Sequence, residues 1–553
     1  MTNDEVASVL EQYGKLLEIS GESAFRVRAY SRAADEIRHI REPLTFYAQE
    51  RKLTDITGVG AGLAAAIEEL LSTGQYRPFE DLKQTTPASL LEIVEIPGVG
   101  VKTVSKLYAD LGITSLSELE TALSSGAVAA QKGFGPKTAE RIQAGIEQMK
   151  RRTGRFLLGT ARPISLALER ELKQANPTSR VSVAGSVRRM EETVGDVDLI
   201  VATEDFDSVE ASARSLLQLS NVERDDPSNL RGRAPYGIGV HITLTKPSGF
   251  GATLLRATGN DQHLTLLGEI PDADSEEEIY ASKGLPWIPP ELRQGIDEFA
   301  LAESGGLDSL VTVDAINGEF HSHSTWSDGS FSIADMAIAA KRRGYRFLAI
   351  SDHSKSLGIA NGLDRERINL QHSAIKAAQD ATGIKLFASC EVEVDRSGNL
   401  DFEDDVLDGL DIVIASTHSG LRQSREHLTE RLIRVLENQN VDIIAHPSGR
   451  LLEQREGGDF DWQQIFTLAA QTGTALEINA DPARLDLGAE LARRALAAGC
   501  LLTINCDAHH PESFANVEYG VAVARRAGAT SDRILNCWPV ADIERWLANR
   551  GKR

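Results

Sequence analysis

Residues 441–447, Val-Asp-Ile-Ile-Ala-His-Pro, form a short apolar run that ends directly on an imidazole, His446. The same construction recurs at Phe347–Ile350 before His353, at 411–415 before His418, and at 501–505 before Asp507 and His509. The run 475–479 repeats it without a histidine. Runs of four or five apolar residues read as buried strands, and the stretches 364–381, 426–438, 461–472 and 487–498 between them carry helical periodicity. Strands alternating with helices predict a parallel β/α architecture, in which chemistry gathers at the carboxyl ends of the strands.

Most of nine candidate metal ligands gather at those ends: the set is His321, His323, Asp328, His353, Glu391, His418, His446, Asp507 and His509. They include six of the chain's twelve histidines. One such histidine is as easily a hydrogen-bonded core residue; nine ligand-type groups at strand ends call for a common cause. Imidazole and carboxylate together suit Zn, Mn or Fe, and closely spaced divalent ions clamp the attacking and leaving oxygens of a phosphoester. His39, His372 and His427 lie on helical stretches and read as surface residues, His510 as a neighbour of the site, and Glu403-Asp404-Asp405 as a solvated helix start.

The chain's 553 residues exceed a single core and predict several domains. Residues 301–317 are small and polar and read as the linker before the barrel. A net charge of −22 excludes a broadly basic nucleic-acid surface, so DNA binding must use backbone donors and focused Arg and Lys. Four cysteines without C-x-x-C pairing read as reduced, buried thiols, and no stretch approaches a membrane span or a secretory signal. A cytoplasmic protein is expected.

Upstream of residue 150 the chain reads as amphipathic helices joined by glycine turns. Three repeat one pattern: Gly58 and Gly60, Gly98 and Gly100, Gly133 and Gly135, each pair opening a helix. Such hairpins present amide N–H groups to a phosphate without reading sequence, and Lys102, Lys106 and Lys137 stand beside them. One copy is as easily a helix corner; three point to phosphate binding. Between residues 151 and 317 the runs 181–185, 197–201 and 240–244 alternate like strands. Asp196 and Asp198 share one face of a strand and suit a pair of Mg2+ ions. Gly185, Ser186 and Arg189 upstream suit a triphosphate.

With these motifs in order, the chain resembles a bacterial family X DNA polymerase fused to a polymerase-and-histidinol-phosphatase (PHP) domain. The resemblance runs from about residue 3 to the C-terminus and takes in Gly21 to Tyr30, Gly284 to Arg293, Ser351 to Ser354, Ala445 to Arg450 and Asn505 to His509. It implies an α+β and α/β multi-domain fold: a lyase-like helical domain (1–82), helix-hairpin-helix fingers (83–150), a nucleotidyltransferase palm (151–246), a thumb (247–305), a linker (306–317) and a distorted (β/α)7 PHP barrel (318–553). It further implies gap-filling synthesis and a 3'-5' exonuclease serving base-excision repair, on gapped, nicked or primer-template DNA. In the implied ligand sets His321, His323, Glu391 and Asp507 hold one ion of Mn2+ or Zn2+, Glu391, His418 and His446 a second, and Asp328, His353 and His509 a third. Glu391 and Asp507 are then catalytic with Arg450 on the phosphate, while Asp196 and Asp198 hold Mg2+ or Mn2+ for a dNTP contacted by Gly185, Ser186, Arg189 and Gly259. A monomer close to the nucleoid is expected.

The departures matter equally. The family's third palm aspartate falls at His241, an aromatic pair is replaced by Arg256 and Ala257, and a nucleotide-contacting asparagine by Leu264. Loss of a carboxylate where an alkoxide must form predicts polymerisation slowed by orders of magnitude. The Schiff-base lysine of lyase-active relatives corresponds to Ala66 and another lysine to Gly62, so lyase chemistry is not expected. The alternatives are an active gap-filling polymerase and a small-molecule phosphatase.

Overall fold

The computed structural model describes residues 3–549 except 40–43, 57, 75, 95, 97, 153 and 217. The chain forms two compact units, Met1–Thr153 and Gly154–Arg553. The first is all helical, and Leu10, Leu16, Ile37, Ile67, Leu107 and Ile142 meet in its core. Gly58, Gly98 and Gly133 have φ of 79°, 78° and 88°, a left-handed backbone that a side chain would strain. That turn buries Val59 and Val99 and places Gly60 and Gly100 as N-caps of helices Ala61–Thr73 and Val101–Leu111. Neither helix receives a side-chain cap, so the amides of the first turn stay available to an outside acceptor. Thr57 and Pro97 of the hairpins, and the side chain of His39, lie outside the described residues.

The second unit opens with a five-stranded sheet: β1 (Arg180–Val183), β2 (Asp196–Ala202), β3 (Ser220–Asp226), β4 (Asn229–Arg233) and β5 (Gly239–Thr245), in the order β1-β2-β5-β4-β3. Only β2 and β5 run parallel, which sets Asp198 beside His241. The β3–β4 hairpin escapes the sequence reading because its residues are mostly charged and exposed. A smaller cluster of Leu255, Ile279, Tyr280, Ile288 and Leu292 comes next in the chain. Glu276 pins it to the turn at residues 185–188: Arg188 reaches the carboxylate at 2.7 and 2.8 Å and Arg293 at 2.6 and 2.9 Å. Burial opposes the charge on Glu276, but the two guanidiniums outweigh it and hold the carboxyl at about 2.

The barrel contributes seven parallel strands in chain order: β6 (Gly318–Glu319), β7 (Phe347–Ile350), β8 (Lys385–Glu393), β9 (Ile412–Ser416), β10 (Ile443–Ile444), β11 (Ala475–Asn479) and β12 (Leu502–Asn505). Helices Arg365–Thr382, Arg425–Glu437, Trp462–Thr472 and Ala489–Ala497 match the four expected stretches within a few residues. The ring closes beyond the strand ends, where the His323 N–H donates to the Ala508 carbonyl (2.9 Å) and the Ala508 N–H to that of His321 (3.1 Å). Residues 306–317 do not hang free, because Val311 and Ile316 are buried in the core and the Val311 N–H donates to the Ala529 carbonyl at 2.9 Å. Among the described residues no helix is long and apolar enough to cross a membrane.

Candidate metal centre

All nine ligand-type side chains meet at one mouth of the barrel. Glu391, near the end of β8 and 1% exposed, is the hub. Its Oε2 lies 2.8 Å from His353 Nδ1, 3.4 Å from His321 Nε2 and 3.7 Å from His323 Nε2, and its Oε1 lies 3.1 Å from His446 Nε2 and 3.4 Å from His418 Nε2. Asp507 Oδ1 approaches His323 Nε2 at 3.0 Å and His321 Nε2 at 3.5 Å. Asp328 stands 3.3 Å from His509 Nε2 and 3.5 Å from His353 Nε2. Their atoms fall into three sets of ion-binding size: His321, His323 and Asp507; His353, Glu391 and His418; and His323, Asp328, His353 and His509. Compared with the grouping the resemblance implies, His323 and His353 each serve two sets, and His446 reaches Glu391 alone.

Backbone and outer carboxylates aim these groups. His446 and Asp507 have positive φ (27° and 50°), a strained bend immediately after β10 and β12 that turns each ligand toward the centre. His321 Nδ1 lies 2.8 Å from Glu477, His418 Nδ1 contacts Glu393, and His509 Nδ1 lies 2.9 Å from the Asp507 carbonyl. In each case Nδ1 is engaged; Nε2 of His321 has no hydrogen bond, while that of His418 lies 3.2 Å from Ser416 Oγ and that of His509 3.3 Å from Asp328. Glu477, which the sequence reading passed over, also accepts the His446 N–H (2.6 Å) and an Asn505 amide hydrogen (2.9 Å). Its only signal was an acid inside the apolar strand Ala475–Asn479.

The donor set fits divalent cations. Among the described residues His323 Nδ1 and His446 Nδ1 are buried without a hydrogen-bond partner, and His321 Nε2, His353 Nδ1 and Glu391 Oε2 crowd one another without the geometry of a hydrogen bond, a costly state unless something else satisfies them. Electrostatics agree. Burial disfavours the Glu391 and Asp507 charges, yet the surrounding histidines hold both carboxyls well below their usual range. Burial likewise opposes protonation of His321 and His353, but nearby carboxylates outweigh it, raising His321 well above normal and His353 to about 10. His323 goes the other way, to about 3, through burial and then the charges of His509 and His353. Protons thus balance the acids where cations would otherwise do so.

Arg450 does not join the cluster as expected. Its guanidinium donates to Glu192 of the palm at 2.7 Å and to the carbonyls of Arg484 (2.9 Å) and Leu485. Adjacency to His446 in sequence said nothing of direction, because the chain turns at Gly449, whose φ is 66°. Arg484 is the arginine beside the ligands, its Nε 3.9 Å from Asp507 Oδ2.

The palm is built more openly. Gly185 has φ of 61°, and a Cβ there would lie 2.0 Å from Asp198 Oδ2, so only glycine fits. His241 Nδ1 stands 3.7 Å from both Asp196 Oδ2 and Asp198 Oδ1, with the imidazole 45% exposed. Burial and then Asp196 push the Asp198 carboxyl up to about 6, against His241 and Arg189. Arg189 donates to the Thr258 carbonyl at 2.7 Å and Ser186 sits in the same helical turn as Gly185. Gly259 packs against Leu264, where a Cβ would meet its side chain at 2.7 Å. In the first unit Lys102 and Lys137 are exposed beside their hairpins. Lys106, by contrast, donates to the Lys132 carbonyl and stacks over Phe134, 5.3 Å from the ring centre, so it braces the third hairpin.

A strand-end cluster of imidazoles and carboxylates on a β/α barrel, preceded by a two-aspartate sheet, defines a metal-dependent phosphoesterase joined to a nucleotidyltransferase-type domain. Comparison with known proteins narrows that class. Residues 1–76 match the helix-hairpin-helix domain, 50–111 and 91–148 the SAM-like helix-hairpin-helix tandem, 161–225 the DNA polymerase beta palm, and 319–481 the PHP domain. The chain is 34% identical over 574 residues to the DNA polymerase/3'-5' exonuclease PolX of Bacillus subtilis, covering 99% of each. It therefore belongs to the family X DNA polymerases that carry a PHP domain, as the motifs implied. The barrel also resembles a probable phosphatase of Shewanella oneidensis (28% identity, 42% of this chain and 91% of that protein) and one of Thermoanaerobacter (26%, 42% and 95%). Helix-hairpin-helix and palm domains indicate DNA as partner, and the palm and PHP domains indicate divalent metals.

Proposed function

We propose that this protein trims and holds DNA ends in repair: the barrel removes 3'-terminal nucleotides, while the palm has largely lost template-directed synthesis. The observation that carries this reading is the contrast in completeness, nine converged ligands with five buried atoms lacking a hydrogen bond against a palm whose third carboxylate is His241. Up to three ions of Mn2+ or Zn2+ in the barrel would supply activated water and stabilise the leaving 3'-oxygen. Glu391 would bridge two ions, with His321, His323 and Asp507 on one side, His418 and His446 on the other, and Asp328, His353 and His509 holding the third. Glu477 and Glu393 hold the outer nitrogens of His321 and His418, so these two ligands are already oriented toward an ion.

In the palm, Asp196 and Asp198 retain the capacity to bind Mg2+ or Mn2+ weakly, and Gly185, Ser186, Arg189 and Gly259 a dNTP. The hairpin amides beside Gly60, Gly100 and Gly135, with Lys102 and Lys137, bind the DNA backbone. We assign the helical domain to 1–82, fingers to 83–150, palm to 151–246, thumb to 247–305 and barrel to 318–553, acting as a cytoplasmic monomer near the nucleoid. A 5'-labelled primer-template incubated with Mn2+ is expected to yield a ladder that disappears in Glu391→Ala and in His323→Ala; an undiminished ladder in both would sink the assignment. The likeness of the barrel to probable phosphatases supports a second reading, small-molecule phosphatase. It requires phosphate monoesters to be hydrolysed faster than DNA ends.

A further inference from the structure

Beside the ligand cluster stands a group of arginines with no part in holding the ions. Arg484 lies on the turn after β11, where its own N–H and that of Leu485 both donate to the Asp481 carbonyl (2.8 and 2.9 Å). Its side chain is 18% exposed and its Nε is 3.9 Å from Asp507 Oδ2, but its Nη1 is buried with no hydrogen-bond partner among the described residues. Arg455, from the loop after β10, donates Nε and Nη2 to the Gly449 carbonyl at 2.9 and 2.7 Å. Burial and then the charges of Arg484 and Arg422 lower its pKa, Asp486 opposing, so Arg455 feels two further guanidiniums.

Gathering like charges over an acidic protein is unfavourable unless an anion is to be received. The carboxylates at hand do not fill that need. Asp507 faces the histidines with Oδ1 and takes an Asn479 amide hydrogen on Oδ2 (3.2 Å), Asp486 accepts the N–H groups of Ser448 and Gly449 at 3.1 and 2.9 Å, and Asp481, whose charge also bears on Arg484, accepts the Ala483 N–H at 2.8 Å. An arginine present only to neutralise Asp507 would not leave a buried N–H without an acceptor.

We propose that Arg484 is the residue that seats the phosphate of the substrate against the metal cluster, with Arg455 adding positive charge behind it. This rests on the phosphoesterase reading of the barrel. Arg450 is then a positioning residue. It clasps the carbonyl of Arg484 itself (2.9 Å) and is held in turn by Glu192 of the palm, and a Cβ at Gly488 would lie 2.9 Å from its Nη1, so the clasp needs that glycine. The palm thereby fixes the angle at which the barrel's arginine meets a phosphate.

The test is calorimetric titration of inorganic phosphate into the full-length, Mn2+-loaded protein. Arg484→Ala is expected to weaken binding about 10- to 100-fold, the worth of a charge-assisted hydrogen bond, with bound Mn2+ per chain unchanged. Arg484→Lys should keep the charge and recover part of the loss; Arg450→Ala and Glu192→Gln should cost less than Arg484→Ala. Unchanged affinity in Arg484→Ala, a larger loss in Arg450→Ala, or no phosphate binding by the wild-type protein would overturn the proposal. Phosphate bound through Arg484 by a protein that degrades no DNA would sink the exonuclease reading and leave this one standing.

Discussion

The barrel and the palm both bring acidic and imidazole groups together at strand ends, yet they do so in opposite manners. In the barrel, Glu391 and Glu477 are 1% and 0% exposed, and one nitrogen of several histidines is committed to a fixed acceptor. In the palm, Asp196 and His241 are 40% and 45% exposed, and their closest approach is 3.7 Å. A centre whose ligands are buried and individually supported tolerates no relaxation, since losing one partner strands the rest. A centre open to water can lose a carboxylate and leave the sheet intact, because water solvates what remains. The two sites therefore differ in how readily substitution erodes them as well as in chemistry.

The sharpest way to break that contrast is His241→Asp in a Glu391→Ala background. If only the third carboxylate is missing, primer extension with Mn2+ should rise about 100-fold or more, the scale of a directly acting charge. No rise would mean that the changes at Arg256, Ala257 and Leu264 also count. Next comes the support that ties the cluster around Ile279 to the turn at residues 185–188. Glu276→Gln should destabilise the protein by about 3 kcal/mol at neutral pH, measured by denaturant unfolding. Because the folded carboxyl is held at about 2, that advantage should be complete above the ordinary glutamate range and fade as pH falls toward 2. An advantage that persisted at pH 2 would exclude the Arg188 and Arg293 pairing as its source.

A smaller effect is expected in the outer layer of the barrel. Glu477→Gln should lower metal affinity or exonuclease rate about 10- to 100-fold while the fold survives, read by metal titration and by the labelled-end assay. Smallest is Lys102→Ala on the second hairpin, which should reduce the slope of log affinity against log salt by about one. A slope unchanged from wild type would remove that lysine from the DNA contact.

Most of the ligands were legible because they stand just after an apolar run, and a strand both hides its run and aims the residues at its end; Glu391, inside β8, was legible only through the resemblance. The supporting acids were not, since Glu477 and Glu393 lie within strands, where sequence cannot say which face a neighbour presents. Arg450 misled for a related reason: it comes four residues after His446, but Gly449 turns the backbone and sends the side chain to Glu192. Lys106 stands on the expected helix yet is claimed by a carbonyl from the next hairpin. Helices and glycine turns are local and could be read; partners distant in sequence depend on how the elements pack.

The closure of the barrel carries a further consequence, one of timing. The two main-chain hydrogen bonds that join His321 and His323 to Ala508 tie the first strand's ligands to Asp507 and His509, nearly two hundred residues later. During synthesis from the N-terminus, the helical unit can be complete long before those last ligands leave the ribosome, whereas the palm shares its core with the barrel and waits for it. The growing chain thus passes through a stage able to grip nucleic acid but unable to cut it, and the cutting centre is the last part of the molecule to come into being.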